Sequence, residues 1–87
     1  MRKDFPTNQE LDESTLKAIQ SSNTEITPDE IKEYVIKELE LSEDIVNLED
    51  ESGIGTKLDY QLRWSRTRLK NKKLIINVRR GVWKQNE

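Results

Sequence analysis

The spacing of apolar residues changes character once along this chain, after Lys72. Before that point they recur every three or four residues: Leu11, Thr15 and Ala18 beside Leu16 and Ile19; Ile31, Val35 and Leu39 beside Tyr34 and Ile36; then Leu58, Leu62, Ser65 and Leu69. After it, Leu74-Ile75-Ile76-Asn77-Val78 and Val82-Trp83-Lys84 are β-prone, and Arg79-Arg80-Gly81 between them reads as a tight hairpin turn. A helix-period pattern does not serve as a strand, so helices come first and a two-stranded hairpin last. With 87 residues the chain makes one domain. A domain of that size buries only about 60–65% of the surface its unfolded form exposes.

The element boundaries follow from local signals. Residues 1–7 read as a polar, poorly ordered lead-in ending at Pro6, and residues 8–87 as the domain. The first helix is expected from Asn8 to Ser21, closed by the turn signal Ser21-Ser22-Asn23. The second has the clearest start: Thr27-Pro28-Asp29-Glu30 puts a hydroxyl at the cap, proline at the first helical position and acids in the first turn. It should run to about Glu40. Ser42-Glu43-Asp44 then caps a short further turn carrying Ile45 and Leu48, and Glu49 to Gly55 forms an acidic loop. The third helix spans Thr56 to Asn71 or Lys72. On a helical wheel Leu58, Leu62, Ser65 and Leu69 share a narrow buried arc, whereas Thr56, Tyr60, Arg63, Thr67 and Lys70 point outward. Trp64 falls near the edge of the buried arc and is expected to pack on the hairpin or the first helix. The fold class is mainly α with a small β-hairpin: a winged helix-turn-helix of three helices plus a C-terminal two-stranded wing.

Charge divides the chain earlier, just before the third helix. From Met1 to Gly53 there are 5 Lys and Arg against 15 Asp and Glu, whereas Ile54 to Glu87 carry 10 against 2, within a total of −2. A basic segment this dense attracts a polyanion, and such asymmetry points to nucleic acid or a membrane surface. The competing account is that the acidic half neutralises the basic half within one fold. No apolar run approaches a membrane span and the N-terminus lacks a signal-peptide core, so a cytoplasmic protein is expected. The absence of cysteine fits an intracellular compartment.

Trp64-Ser65-Arg66-Thr67-Arg68-Leu69-Lys70, Lys73-Leu74-Ile75 and Arg79-Arg80-Gly81-Val82-Trp83 resemble the N-terminal domain of Mrr-type restriction proteins. The resemblance covers most of the chain from about Asn8 and is specific from Thr56 to Lys84. This chain departs from that pattern with Gln61 in place of arginine, Arg63 in place of glycine, and Lys73 where a glycine precedes the leucine. The resemblance implies a winged-helix domain that binds duplex DNA and serves as a targeting module of a restriction-type or mobile-element protein. It also implies a nuclease domain or another protein as partner.

The residues support that expectation on their own terms. A major groove about 12 Å wide accepts a helix, and the third helix offers Thr56, Lys57, Tyr60, Arg63, Arg66, Thr67 and Lys70. Arg63, Thr67 and Tyr60 are the candidate readers, with Arg63 the foremost candidate for a base contact. Lys57, Arg66, Lys70, Lys72, Lys84 and the hairpin-tip pair Arg79 and Arg80 are the candidate phosphate neutralisers. Within the helix, Asp59 is the one acid set against this charge.

Catalysis has little to stand on. Pro28-Asp29-Glu30-Ile31-Lys32 contains the letters of a nuclease metal motif, but contiguous at a helix start, where capping explains them. There is no His or Cys, Asp44, Glu49, Asp50 and Glu51 lack the spacing of a calcium loop, and glycines 53, 55 and 81 make no phosphate loop. No catalytic residue, metal or cofactor is expected. The alternative to DNA binding is a winged helix that meets a protein partner or dimerises without touching DNA.

Overall fold

A computed structural model describes residues 4–86. In chain order the elements are α1 (Asn8–Ser21), α2 (Pro28–Glu38), α3 (Glu43–Val46), α4 (Lys57–Asn71), β1 (Ile75–Arg79) and β2 (Val82–Gln85). The expected sequence of helices followed by a hairpin is what forms, with the short turn after Ser42 closing into a helix of its own. Among the described residues no helix is long and apolar enough to cross a membrane.

Each long helix starts on a threonine. Thr27 Oγ1 accepts from the Glu30 amide at 3.3 Å while the Thr27 amide donates to Glu30 Oε1 at 3.1 Å, completing the capping box. Thr7 and Glu10 form the same box at α1. Ahead of that cap Pro6 is buried and Phe5 packs against the core. Residues 1–3 lie outside the described residues.

Two helices end in the same way, without glycine. At the end of α4 the Leu74 amide donates to Leu69 O at 3.0 Å and the Lys73 amide to Lys70 O at 2.9 Å, with Lys73 at φ 65°. At the end of α2 the Leu41 amide donates to Ile36 O at 3.0 Å and the Glu40 amide to Lys37 O at 3.4 Å, with Glu40 at φ 52°. Both are Schellman closures, which normally place glycine in the left-handed position. This ending takes Leu74 out of the strand that the apolar run suggested and leaves Leu39, at the cap of α2, only partly buried. Leu41 supplies the buried leucine instead.

The core joins Leu11, Ala18 and Ile19 of α1 to Ile31 and Val35 of α2 and to Leu58, Leu62 and Leu69 of α4, with Ile75 of β1 closing one end. The wheel therefore reads α4 correctly, Ser65 included. Ser14 and Thr15 are also fully buried, and neither hydroxyl has a hydrogen-bond partner among the described residues.

The hairpin is antiparallel, with Asn77 opposite Trp83 and Arg79 opposite Val82, and a bulge between. Asn77 Nδ2 donates across that bulge to Arg79 O at 2.8 Å and Val82 O at 2.9 Å. The tip is thus Arg80-Gly81, with Gly81 at φ 74° where a side chain would be strained. On its other edge Trp83 exchanges backbone hydrogen bonds with Ile26, at 2.8 and 2.9 Å. That bridge ties the wing to the segment between α1 and α2, and it fixes the wing beside α4.

Candidate nucleic-acid interface

Because Leu58, Leu62, Ser65 and Leu69 turn inward, the opposite face of α4 must meet solvent. Thr56 is the N-cap: its hydroxyl accepts from the Asp59 amide at 3.3 Å, a task that fixes its side chain at the helix start. Lys57 lays its ammonium over the Phe5 ring, 4.5 Å from the centroid. Tyr60 and Arg63 stand exposed on the outward face. Thr67 sits on the same face, half-buried, and donates its hydroxyl to Arg63 O at 3.1 Å. Lys70 is exposed one turn further on.

Trp64 is the residue whose place differs most from expectation. It is 47% exposed, and its ring meets that of Tyr60 edge to face, with centroids 6.3 Å apart. At 100° per residue Trp64 lies about 130° from the middle of the buried arc, well past its edge. That angle sets it on the solvent side of the helix. With Tyr60, Arg63 and Thr67 it lines a shallow depression.

The basic residues separate into paired and unpaired groups. Arg68 is committed to α1: its Nε donates to Asp12 Oδ2 at 2.9 Å and its Nη2 to Asp12 Oδ1 at 2.7 Å. Arg79 is committed to the α1–α2 connection through Glu25, at 2.9 Å. Asp59 pairs with Lys32 of α2, at 2.9 Å. The acidic half therefore does neutralise part of the basic half. What remains is positive: Arg63, Arg66, Lys70, Lys72, Lys84 and the wing-tip Arg80 form no ion pair among the described residues.

Electrostatics record the same division. Burial raises the Asp12 carboxyl, but hydrogen bonds from Arg68 and Ser65 and the charges of Arg68 and Lys72 outweigh it and leave the group below its ordinary range. Arg66 is half-buried, its guanidinium 6.0 Å from the centre of the Trp83 ring. Burial first, and the neighbouring Arg63 charge second, press its pKa downward against the pull of Asp59. Two cations crowded without a full counter-charge form a seat for an anion. Asp29 and Asp59 line the same depression as Arg63, Arg66 and Lys32, so two acids stand at the edge of this face, and Asp59 is the one paired with Lys32.

Residues 9–87, nearly the whole chain, match the family model described as the Mrr N-terminal domain. No curated protein and no solved structure matches the chain.

Proposed function

Because the chain belongs to the Mrr N-terminal domain family, we propose that it is a DNA-targeting module of a restriction-type or mobile-element protein and binds duplex DNA through α4 and the wing. The observation that carries this reading is the set of cations on α4 and at the wing tip that form no ion pair among the described residues. Among the described residues Arg63 and Lys70 on the outward face of α4, Arg66 toward the wing and Arg80 at its tip form no ion pair, while Arg68 and Arg79 pair with Asp12 and Glu25. Cations chosen only for solubility would be interleaved with acids. An outward helix flanked by a basic hairpin tip fits a major groove with phosphates on either side.

In this reading Arg63 and Thr67 approach base edges, and Lys57, Arg66, Lys70 and Arg80 neutralise phosphates. Thr56 orients the helix start, and its backbone neighbourhood faces the phosphate chain. Arg79 contributes by holding the wing against Glu25. The module carries no catalytic group of its own and acts beside a nuclease domain or other partner.

The test is retention of the chain on duplex DNA and its release as salt rises. Binding should weaken linearly on a log–log plot with a slope set by the number of phosphates neutralised. A chain that ignores duplex DNA at low salt would refute the reading. The rival, a protein-interaction winged helix, is favoured by one observation: Ile54, 82% exposed, lies beside Tyr60 at the start of α4. Association with a protein partner that persists in Arg63→Ala and Arg80→Ala would support it.

A further inference from the structure

The outward face of α4 carries more than charge. Tyr60 and Trp64, one turn apart, are 43% and 47% exposed, and their rings meet at 68°. Neither the phenol hydroxyl nor the indole N–H is hydrogen-bonded within the described residues. Neither ring belongs to the hydrophobic core. Single exposed apolar residues need no explanation, but two aromatic rings braced against each other form a defined apolar surface.

The shape of that surface limits what it can take. Two rings at 68° enclose a notch, Thr67 and Arg63 complete its walls, and no acid lines it. A helix lying in the major groove meets base edges and not base faces, so an apolar surface on that helix is matched by an apolar group on a base edge. The guanidinium at the rim requires that the apolar group be attached to something rich in acceptors. On the major-groove edge of natural base pairs the apolar group is the C5-methyl of thymine, and guanine O6 and N7 are the acceptors that arginine grips.

Resting on the duplex-binding reading above, we propose that the Tyr60–Trp64 notch receives the C5-methyl of a thymine while Arg63 bonds the acceptor edge of an adjacent base pair. The module then prefers duplexes in which thymine neighbours guanine. The occupant is a base because the free charge around the notch is positive: Arg63 at its rim and Lys70 one turn beyond Thr67 form no ion pair among the described residues. Such a surround complements nucleic acid.

Replacing thymine by deoxyuridine removes this methyl and nothing else. Duplexes retained by the chain from a random-sequence pool are resynthesised with deoxyuridine at each thymine in turn. At one position or two the wild-type chain should bind about 4-fold more weakly, the value of one buried methyl. Trp64→Ala, an exposed change whose folding is checked by circular dichroism, should bind the thymine and uridine duplexes equally. Tyr60→Ala should reduce the ratio as well. Arg63→Ala should weaken both duplexes and preserve the ratio. Equal binding of thymine and uridine duplexes by the wild-type chain overturns the notch while leaving duplex binding intact, and failure to retain any duplex at low salt overturns both. Continued discrimination by Trp64→Ala, or conversion of a dimer to a monomer by that change with the thymine preference unaltered, also overturns it and identifies the surface as a protein interface.

Discussion

Arg68 of α4 and Asp12 of α1 are joined by two side-by-side hydrogen bonds, Nε to Oδ2 at 2.9 Å and Nη2 to Oδ1 at 2.7 Å, across 56 residues of sequence. The Arg68 Nη2 also donates to the buried Ser65 at 3.2 Å. A planar guanidinium meeting a carboxylate in this way fixes distance and rotation together. The pair therefore sets how α1 lies on α4, and with it the direction in which the outward face points.

Asp12→Asn is expected to cost about 1–3 kcal/mol at neutral pH, between the values for exposed and fully buried pairs. The sign of its pH dependence follows from the lowered carboxyl. The unfolded chain takes up the proton near the ordinary value of 3.8, before the folded chain does. The stabilisation is thus complete above that value and is lost as pH falls through the lower folded one. Thermal melts of wild type and Asp12→Asn should differ at pH 7 and converge well below pH 3.8. A difference that stays constant down to the acid limit would mean that charge plays no part.

Lys73 and Glu40 hold left-handed backbone positions, at φ 65° and 52°, that cost an ordinary residue about 1–2 kcal/mol. Glycine avoids that cost but gives back part of it by loosening the unfolded chain. Lys73→Gly should therefore raise stability by about 0.5–1 kcal/mol, as should Glu40→Gly, and the two should add. A lower melting temperature for either variant would show that its side chain does more than tolerate the turn.

Arg63 and Arg80 are expected to differ in kind. Arg63→Ala should lose about 1–3 kcal/mol on a preferred duplex and flatten the preference among sequences. Arg80→Ala should weaken all duplexes alike and reduce the salt slope by about one. Titrations of several duplexes at a series of salt concentrations separate the two. Identical losses on every sequence would reassign Arg63 to phosphate.

Asp29 lines the depression shared by Arg63 and Arg66 and should oppose an approaching phosphate. Asp29→Asn is expected to tighten duplex binding by about 2–5-fold at low salt, an advantage screened within about 10 Å at 0.1 M. The helix start should lose about 0.3–1 kcal/mol with its favourable charge. Unchanged affinity at the lowest salt would place the duplex away from the start of α2.

Sequence alone determined the parts of this protein that depend on neighbours a few residues away. The capping box of Thr27 and Glu30, the inward arc of Leu58, Leu62, Ser65 and Leu69, and the hairpin about Gly81 all follow from backbone geometry repeating over short spans. The motif that led to the family was legible for the same reason, since it lies within α4 and the wing. Tertiary structure decided which charges stay free. Arg68 and Arg79 look alike in the sequence with Arg63 and Arg80, yet they meet Asp12 and Glu25, 56 and 54 residues away. The pairing of Lys32 with Asp59 and of Phe5 with Lys57 likewise depends on how separate segments are set against one another. A charge is cancelled by what stands within a few ångströms of it, and that is a property of packed helices that no local pattern records.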